Sequence, residues 1–464
     1  NETYLGLSEA DFNNNPFDRY AASNNDQMTT DHTQYALTHT LEFTKDLHIT
    51  TTAYQNNFSR NWYKLNDVTF DGNKKSIAAI LNDPTTLDNH FSIVNGTVNS
   101  DVDALGVKAN NRKYYAQGIQ TKLDYHWYKG DAFHDLEIGF RAHYDEEDRF
   151  QWVDKYRMSS NKSMDLTTAG IPGTDANRIA SATAFASYLT YKLKYNNWTF
   201  TPGVRYENIT LKREDFGKND VKRTGVNLAL RENSVAIFIP GMGTNYKFHN
   251  DFSLFGGVHK GFSPPGNQNG QEPEESINYE FGTRFNLGKL KGEVVGFFND
   301  YSNLLGSDLA ATGGTGSLEL FNAGEVNVSG IEVLLNYNIA SENSKIAIPV
   351  SFGYTFTNSA FQNSFGSADG LWGTVTKGDE MPYLPRHQLN TRISLEHKDF
   401  EINLNGRYNG EFRTLAGTGT IANSEKVAAN FIVDLSAKYF VNKKLNITAN
   451  VINLLDNTYA VSRV

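Results

Sequence analysis

Apolar and polar residues alternate strictly along the stretch from Ser276 to Leu287. In an extended chain, the larger and mostly apolar side chains would share one face, namely Ile277, Tyr279, Phe281, Thr283, Phe285 and Leu287. This spacing of two residues is typical of a β-strand, because successive side chains of a strand point to opposite faces. Gly288 and Lys289 then predict a short turn, and a second strand-like run continues to Tyr301. The stretch therefore predicts a β-hairpin.

The same hairpin pattern recurs from one end of the chain to the other. Alternating runs that are rich in aromatic and β-branched residues, with turn residues between them, are read as paired strands. The predicted pairs are residues 32–44 with 49–65, 113–128 with 135–152, 178–195 with 198–216, 235–248 with 252–262, 276–287 with 290–301, 318–339 with 345–361, 385–397 with 400–412, and 426–440 with 445–451. With a strand end at residues 1–7, this gives about seventeen strands, of which sixteen are complete.

Short and long connections alternate along the predicted strands. Every second connection has only a few residues, whereas the others are long and polar, as in residues 66–110. Outer-membrane barrels have short periplasmic turns and longer extracellular loops. A chain of soluble β-sandwiches is the alternative, but its turns would be evenly spaced at both ends of the strands. The pattern therefore favours an all-β, antiparallel transmembrane β-barrel.

The predicted strands also separate apolar from charged side chains. Phe140 and Leu404 share a face with other apolar residues, whereas the neighbouring Arg141 and Arg407 fall on the charged face. In a membrane barrel, the apolar face contacts lipid and the polar face lines the water-filled interior. We therefore expect the lipid bilayer as one partner, with Phe140, Phe281 and Leu404 pointing outward and Arg141, Arg284 and Arg407 pointing inward.

Composition supports a barrel and excludes other classes. The chain has 464 residues with 30 Phe, 24 Tyr and 38 Gly, and it has no run of about 18 apolar residues that would form a transmembrane helix. The mean hydropathy of −0.50 fits a barrel, in which only alternate strand residues must be apolar. The net charge of −9 argues against nucleic acid as a partner. Two glycine-rich stretches, at residues 311–317 and 365–370, have no predicted helix after them, so they do not indicate a phosphate-binding loop.

Six stretches, in their order and spacing, resemble the barrel portion of TonB-dependent outer-membrane receptors. They are PGVRYENI, GGVHKGFSPP, EPEESINYEFGTRF, NAGEVNVSGIEV, PYLPRHQLNTRISL and NVINLLDNTYA, which begin at residues 202, 256, 272, 322, 382 and 450. The earlier stretches NETYLGLSEADFNNNP and AYQNNFSRNWYKL, at residues 1 and 53, look most like receptors for ferric dicitrate. The resemblance implies a transport receptor and not an enzyme, without a cofactor.

The resemblance also implies parts that this sequence does not contain. Family members form a barrel of about 22 strands that is filled by an N-terminal plug. A short peptide ahead of the plug engages the TonB complex, which supplies energy for uptake. We expect residues 1–464 to be a partial barrel of about 17 strands that lacks the plug, the first strands and the last strand. The whole receptor is expected to be a monomer in the outer membrane.

An anionic iron chelate such as ferric citrate calls for fixed cations with planar donors, and arginine fits this requirement. The resemblance places citrate-contacting arginines at Arg60 and Arg112, and Arg178 lies near a third such position. Lys64 and Arg149 are further basic candidates, suggested by their predicted face and height. Each of these five could instead form an ion pair within the wall. We predict no metal ligands in the protein, because citrate itself would hold the iron.

Several features leave alternatives open. Around Arg60 the alternation is blurred, since Tyr54 and Phe58 have the same parity, and a β-bulge is expected there. The acidic run at residues 145–148 is expected to be a solvated rim and not a cation site. The cargo could be another siderophore, cobalamin or an oligosaccharide. A passive porin, or a surface adhesin without a transport role, would share the same wall.

Overall fold

The computed structural model describes residues 5–306, 321–322, 324–341, 343–366 and 374–463. Within these residues, sixteen long strands account for most of the chain. They are β1 Gln27–Thr44, β2 Leu47–Phe70, β3 Leu105–Lys129, β4 Ala132–Met158, β5 Ala176–Tyr195, β6 Trp198–Asp215, β7 Ala229–His249, β8 Phe252–Ser263, β9 Glu274–Leu287, β10 Leu290–Ser302, β11 Val326–Asn338, β12 Pro349–Phe361, β13 His387–His397, β14 Phe400–Asn409, β15 Asn430–Asn442 and β16 Leu445–Val451.

The sixteen long strands form one antiparallel meander. Each strand pairs with the next one along the chain, from β1 with β2 to β15 with β16. The short strands Asn73–Ser76 and Met164–Thr168 extend β2 and β4 beyond the meander. Among the described residues, no pairing joins β1 to β16, so the sheet has an open seam. Each of the sixteen strands overlaps one of the predicted runs, although several of the bounds differ by several residues.

The remaining elements lie mostly in the long connections. The described residues include three pairs of two-residue strands, formed by Leu305–Gly306 with Phe321–Asn322, Phe365–Gly366 with Thr374–Val375, and Phe412–Arg413 with Lys426–Val427. The helices are α1 Glu9–Asn14, α2 Ile77–Asn82 and α3 Asp88–Asn95, with 3₁₀ turns at Ala21–Ser23 and Asn423–Glu425. In the part of the chain that the structure describes, no helix is both long and apolar enough to cross a membrane.

The register of the strands places apolar and charged side chains on opposite faces of the sheet. Leu404 of β14 lies directly opposite Ile393 of β13 and Leu435 of β15, and all three are apolar. Arg407, three residues after Leu404, lies on the other face and forms an ion pair of 3.5 Å with Asp434. Arg284 likewise pairs with Glu293, whereas Phe281 is 66% exposed on the apolar face. Because lipid favours the apolar face, the charged face is the interior wall.

The first long connection is folded, which corrects the predicted polar loop at residues 66–110. Ser76 caps α2 by accepting a hydrogen bond from the backbone N–H of Ala79. Ile80 of α2 and Val94 of α3 are fully buried against the ends of β2 and β3 that this long connection joins. Their apolar partners on these strands include Leu65 and Val107, whose face is opposite to the one that carries Arg60 and Arg112. The apolar residues of IAAIL at residues 77–81 were the signal for this helical packing.

The strand end that was predicted at residues 1–7 is not found in the described part of that segment. Residues 5–7 have no regular structure, and residues 1–4 lie outside the described residues. The chain continues into α1 and then to Tyr20, whose hydroxyl donates a 2.6 Å hydrogen bond to Asp11. Burial and this hydrogen bond raise the pKa of Tyr20 to about 12. The glycine-rich stretch at residues 311–317 and residues 367–370 of the second stretch also lie outside the described residues.

A charged residue should be tolerated on one face of β14 and not on the other. Leu404→Arg would place a guanidinium in lipid, and we expect it to lower the free energy of unfolding by up to about 2–4 kcal/mol. Asn405→Arg adds the same charge on the interior face, beside Asp434, and should change stability by less than about 1 kcal/mol. Denaturant unfolding of the full-length protein in lipid vesicles measures both. Equal losses for the two variants would contradict the assignment of the faces.

Candidate functional site

Four of the five predicted basic residues form a row across four neighbouring strands. Arg60 of β2 lies directly opposite Arg112 of β3, and Arg112 lies opposite Arg149 of β4. Arg149 in turn lies opposite Arg178 of β5. We call these four residues the arginine row. In the next strand, Asp215 of β6 lies opposite Arg178.

The arginine row is on the interior face because the register of β2 is unbroken. The pairing of β2 with β3 runs without a shift from Leu47 to Leu65, and the only irregularity follows Leu65. The bulge that was expected near Arg60 is therefore wrong, and Tyr54 and Phe58 truly share the face of Arg60. There they contact polar partners, since the Tyr54 hydroxyl lies 2.7 Å from Nδ1 of His143. The row lies towards the ends of the strands that carry the long connections.

The two inner arginines share one carboxylate. A nitrogen of the Arg112 guanidinium lies 2.9 Å from one oxygen of Glu147, and Nε of Arg149 lies 3.0 Å from the other. Arg112 is only 4% exposed and Arg149 only 2%. Such buried guanidinium groups need a partner, because an unpaired charge in a protein interior is very costly. Glu147 is therefore the counterion of the middle of the row.

The two outer arginines are bound more loosely. Nε of Arg60 donates a 3.3 Å hydrogen bond to the hydroxyl of Tyr114, which also accepts a 3.5 Å bond from Arg112. Arg178 is partly exposed, and among the described residues no hydrogen bond or ion pair reaches its guanidinium group. No ion pair to Arg60 occurs among the same residues either. The ends of the row therefore present cations without a carboxylate partner.

Lys64 lies apart from the arginine row. It is four residues further along β2, which corresponds to roughly 13 Å of strand. Its amino group lies 4.3 Å from the ring centre of Trp62, and Lys64 is 7% exposed. The residue opposite is Lys108, which pairs with Asp175 at 2.8 Å. The structure therefore does not bring Lys64 together with the four arginines.

Three further residues complete the site, and none of them was among the five predicted basic residues. Glu147 was assigned to a solvated acidic rim, but it is the bridge between Arg112 and Arg149. Its neighbours Asp145, Glu146 and Asp148 are partly exposed, and their carboxylates bind the side chains of His143, Tyr144 and Arg223. Tyr114 and Arg213 were not singled out. Arg213 is 8% exposed and pairs with Asp215 at 2.7 Å, beside the end of the row. Their positions on the interior face, given by the alternation, were the available signal.

The arrangement is suited to an anion. Together with Arg213, the row contains five guanidinium groups against the carboxylates of Glu147 and Asp215. This leaves a local excess of three positive charges in a chain whose net charge is −9. Guanidinium groups bind carboxylate or phosphate oxygens through paired, charge-assisted hydrogen bonds. Within the described residues, no group of three or more acidic or histidine side chains could hold a metal ion.

Several solved structures share this fold. The unliganded ferric citrate transporter FecA superposes with a TM-score of 0.71 and 16% sequence identity, over 98% of this chain and 61% of that one. The ferric-catecholate import receptor Fiu from Escherichia coli K12, in its closed form, gives a TM-score of 0.70 at 16% identity, over 95% and 62% of the two chains. At these identities the likeness shows the fold alone.

Sequence comparison finds several relatives, of which two are described here. The ferrienterobactin receptor of Escherichia coli K12 is 23% identical over 62% of this chain and 38% of its own length. The vitamin B12 transporter BtuB of Photobacterium profundum is 20% identical over 59% of this chain and 39% of its own. The matched region of this chain thus covers less than two fifths of these relatives. These proteins are receptors and transporters, and none is an enzyme.

A family model settles the assignment. The model of the TonB dependent receptor-like β-barrel matches residues 2–454, which is nearly the whole chain. The match agrees with the antiparallel meander and with the resemblance that the sequence motifs indicated. The chain therefore belongs to the TonB-dependent receptor β-barrel family, whose members reside in the outer membrane.

Proposed function

We propose that this chain is the wall of an active-transport receptor that takes up an anionic iron chelate, and that the chelate is ferric dicitrate. The observation that carries the proposal is the arginine row, with its local excess of positive charge on the interior face. The long-loop end of the strands is the extracellular end, so an incoming anion would meet the row early. Uptake would be energised by the TonB complex, through a segment outside these 464 residues.

Ferric dicitrate matches the chemistry of the row. It carries several carboxylates around an iron that the citrates already hold, so the protein needs cations and not metal ligands. A planar guanidinium can donate two parallel hydrogen bonds to one carboxylate, which fixes orientation as well as charge. The mixed neighbours of the row, such as Tyr114 and Asn110, add neutral hydrogen-bonding groups. These groups suit the remaining hydroxyl and carboxylate oxygens of a citrate.

We assign different roles to the outer and inner arginines. Among the described residues, Arg60 and Arg178 form no ion pair with a carboxylate, so an incoming anion would gain more from them than from the inner two arginines. Arg112 and Arg149 already bind Glu147, and their gain would be smaller. Lys64 would act at most as an additional cation further out, because Trp62 covers its amino group. The first contact of the chelate would therefore be with the ends of the row.

The rest of the receptor is also part of the proposal. Residues 1–464 would form the larger part of a barrel of about 22 strands, with further strands completing it at the open seam between β1 and β16. A plug would fill the interior, and the receptor would act as a monomer. This chain covers 61% of the length of the ferric citrate transporter FecA, which supports a longer whole protein. This structural neighbour transports ferric citrate, which supports citrate among the possible chelators.

A second anionic cargo is the main alternative. One relative is a ferrienterobactin receptor and another structural neighbour imports ferric catecholates. An anionic catecholate chelate would use the same cations, so the arginine row favours anionic iron chelates as a class. A vitamin B12 transporter is also among the relatives, but cobalamin would draw less on a row of four arginines. The row therefore ranks citrate and other anionic chelates above cobalamin or sugars.

Charge removal at the ends of the row tests the proposal. We expect Arg60→Gln and Arg178→Gln, each made in the full-length receptor, to weaken ferric citrate binding by about 1.5–3 kcal/mol. This corresponds to a loss of affinity of roughly tenfold to hundredfold. Arg407→Gln is the matched control, since Arg407 lies on the same face but pairs with Asp434 far from the row. Unchanged affinity in both row variants would make Arg60 and Arg178 wall residues.

The ionic strength should separate anionic cargo from cobalamin. Binding of ferric citrate should weaken as salt rises from low to physiological concentration, because partly exposed charges are screened. Binding of a cargo that does not depend on the row should respond little. Titration calorimetry with ferric citrate and with cobalamin at two salt concentrations measures this, together with growth on ferric citrate as the sole iron source. Growth that does not depend on the full-length gene would remove the citrate assignment.

A further inference from the structure

Glu147 stands where a carboxylate of the cargo would be expected. It lies on the interior face of β4, directly opposite Tyr114 of β3 and Ala180 of β5. Its two oxygens bind the two inner arginines at 2.9 and 3.0 Å. A citrate carboxylate that bridged Arg112 and Arg149 would have to make the same two contacts. The inner half of the row is thus already occupied by an anion that belongs to the protein.

This occupation has two effects of opposite sign. Glu147 neutralises one of two closely placed guanidinium groups, which would otherwise repel each other in a buried position. The same carboxylate also repels any anion that approaches the row and competes with it for Arg112 and Arg149. The residue opposite Glu147 on the adjacent strand is Ala180, whose small side chain carries no charge.

We propose that Glu147 is a specificity-determining residue that acts as an internal competitor for the cargo. The inference rests on the proposed function, since it concerns the anion that the same arginines would bind. A weakly charged anion gains less free energy from Arg112 and Arg149 than is lost when Glu147 leaves them. A chelate with several carboxylates gains enough to displace Glu147. Glu147 therefore sets the charge that a ligand must carry before it occupies the inner row. Its presence selects against small anions such as phosphate or free monocarboxylates.

The neighbouring residue supplies a matched control. Glu146 has the same charge and the adjacent position, but its side chain points to the opposite face of the sheet. There its carboxylate accepts a 2.7 Å hydrogen bond from the hydroxyl of Tyr144. Glu146→Gln therefore removes the same charge from the protein without freeing any arginine of the row. A difference between the two variants reports the position of the charge and not the net charge.

The experiment compares full-length wild-type receptor with Glu147→Gln, Glu147→Asp and Glu146→Gln. Binding of ferric citrate, free citrate and inorganic phosphate is measured at low and at physiological salt. We expect Glu147→Gln to bind inorganic phosphate roughly tenfold more tightly or better, with smaller gains for free citrate and for ferric citrate, so that the discrimination against phosphate falls. The gain should shrink as salt rises. Glu147→Asp, whose shorter side chain cannot span both arginines, should show an intermediate gain, and Glu146→Gln should show none.

A purely structural role for Glu147 predicts the opposite sign. If Glu147 only holds Arg112 and Arg149 in place, Glu147→Gln would weaken all three ligands, and the proposal would be overturned. Equal gains in Glu146→Gln and Glu147→Gln would also overturn it. If Glu147→Gln does not fold, Glu147→Asp decides in the same way. Failure of wild type to bind ferric citrate would instead count against the proposed function, while the citrate and phosphate series would still test Glu147.

Discussion

The site depends on an unbroken register of antiparallel pairing between β2 and β5. Because side chains of a strand alternate between faces, a slip of one residue would move every side chain of that strand to the other face. Arg60, Arg112, Arg149 and Arg178 meet only because the backbone hydrogen bonds of four strands hold one register. A slip of any one strand would move its guanidinium group from the interior face to the outer face of the sheet. The lipid and the buried charges therefore specify the same register.

The presence of the strands could be predicted from the sequence, because the side chains of a strand alternate between the two faces of the wall. A wall between lipid and water must alternate, so runs such as residues 135–152 and 400–412 were predicted from the alternation of apolar and polar residues. The strands extend further than the alternation does, however. β4 reaches Met158 and β2 reaches Phe70, well above the apolar band. There the wall no longer faces lipid, so the period of two fades, although the backbone pairing continues.

The site was predicted in part. Four basic residues were placed in one region, but their direct opposition depends on the lengths of connections that sequence patterns do not fix. Glu147 was misread because one carboxylate among four in a row looks like a solvated run. The alternation places Glu147 and Glu146 on opposite faces, but only the register of β3 with β4 shows that Glu147 lies next to Arg112. The helices α2 and α3 were missed because six- and eight-residue helices give too few turns for a clear apolar stripe. Lys64 was grouped with the four arginines because it lies on the same face of the sheet. Only its distance along β2 separates it from them.

The arginine row also has a fixed scale. Adjacent strands of a sheet lie about 4.8 Å apart, so the backbone positions of neighbouring arginines in the row are separated by that distance. From Arg60 to Arg178 the row spans three such steps, about 14 Å. A compact anion can contact two neighbouring arginines, and only a larger anion can contact all four. The spacing of the strands thus sets the size of the anion that can contact all four arginines, and side-chain substitutions do not change this spacing.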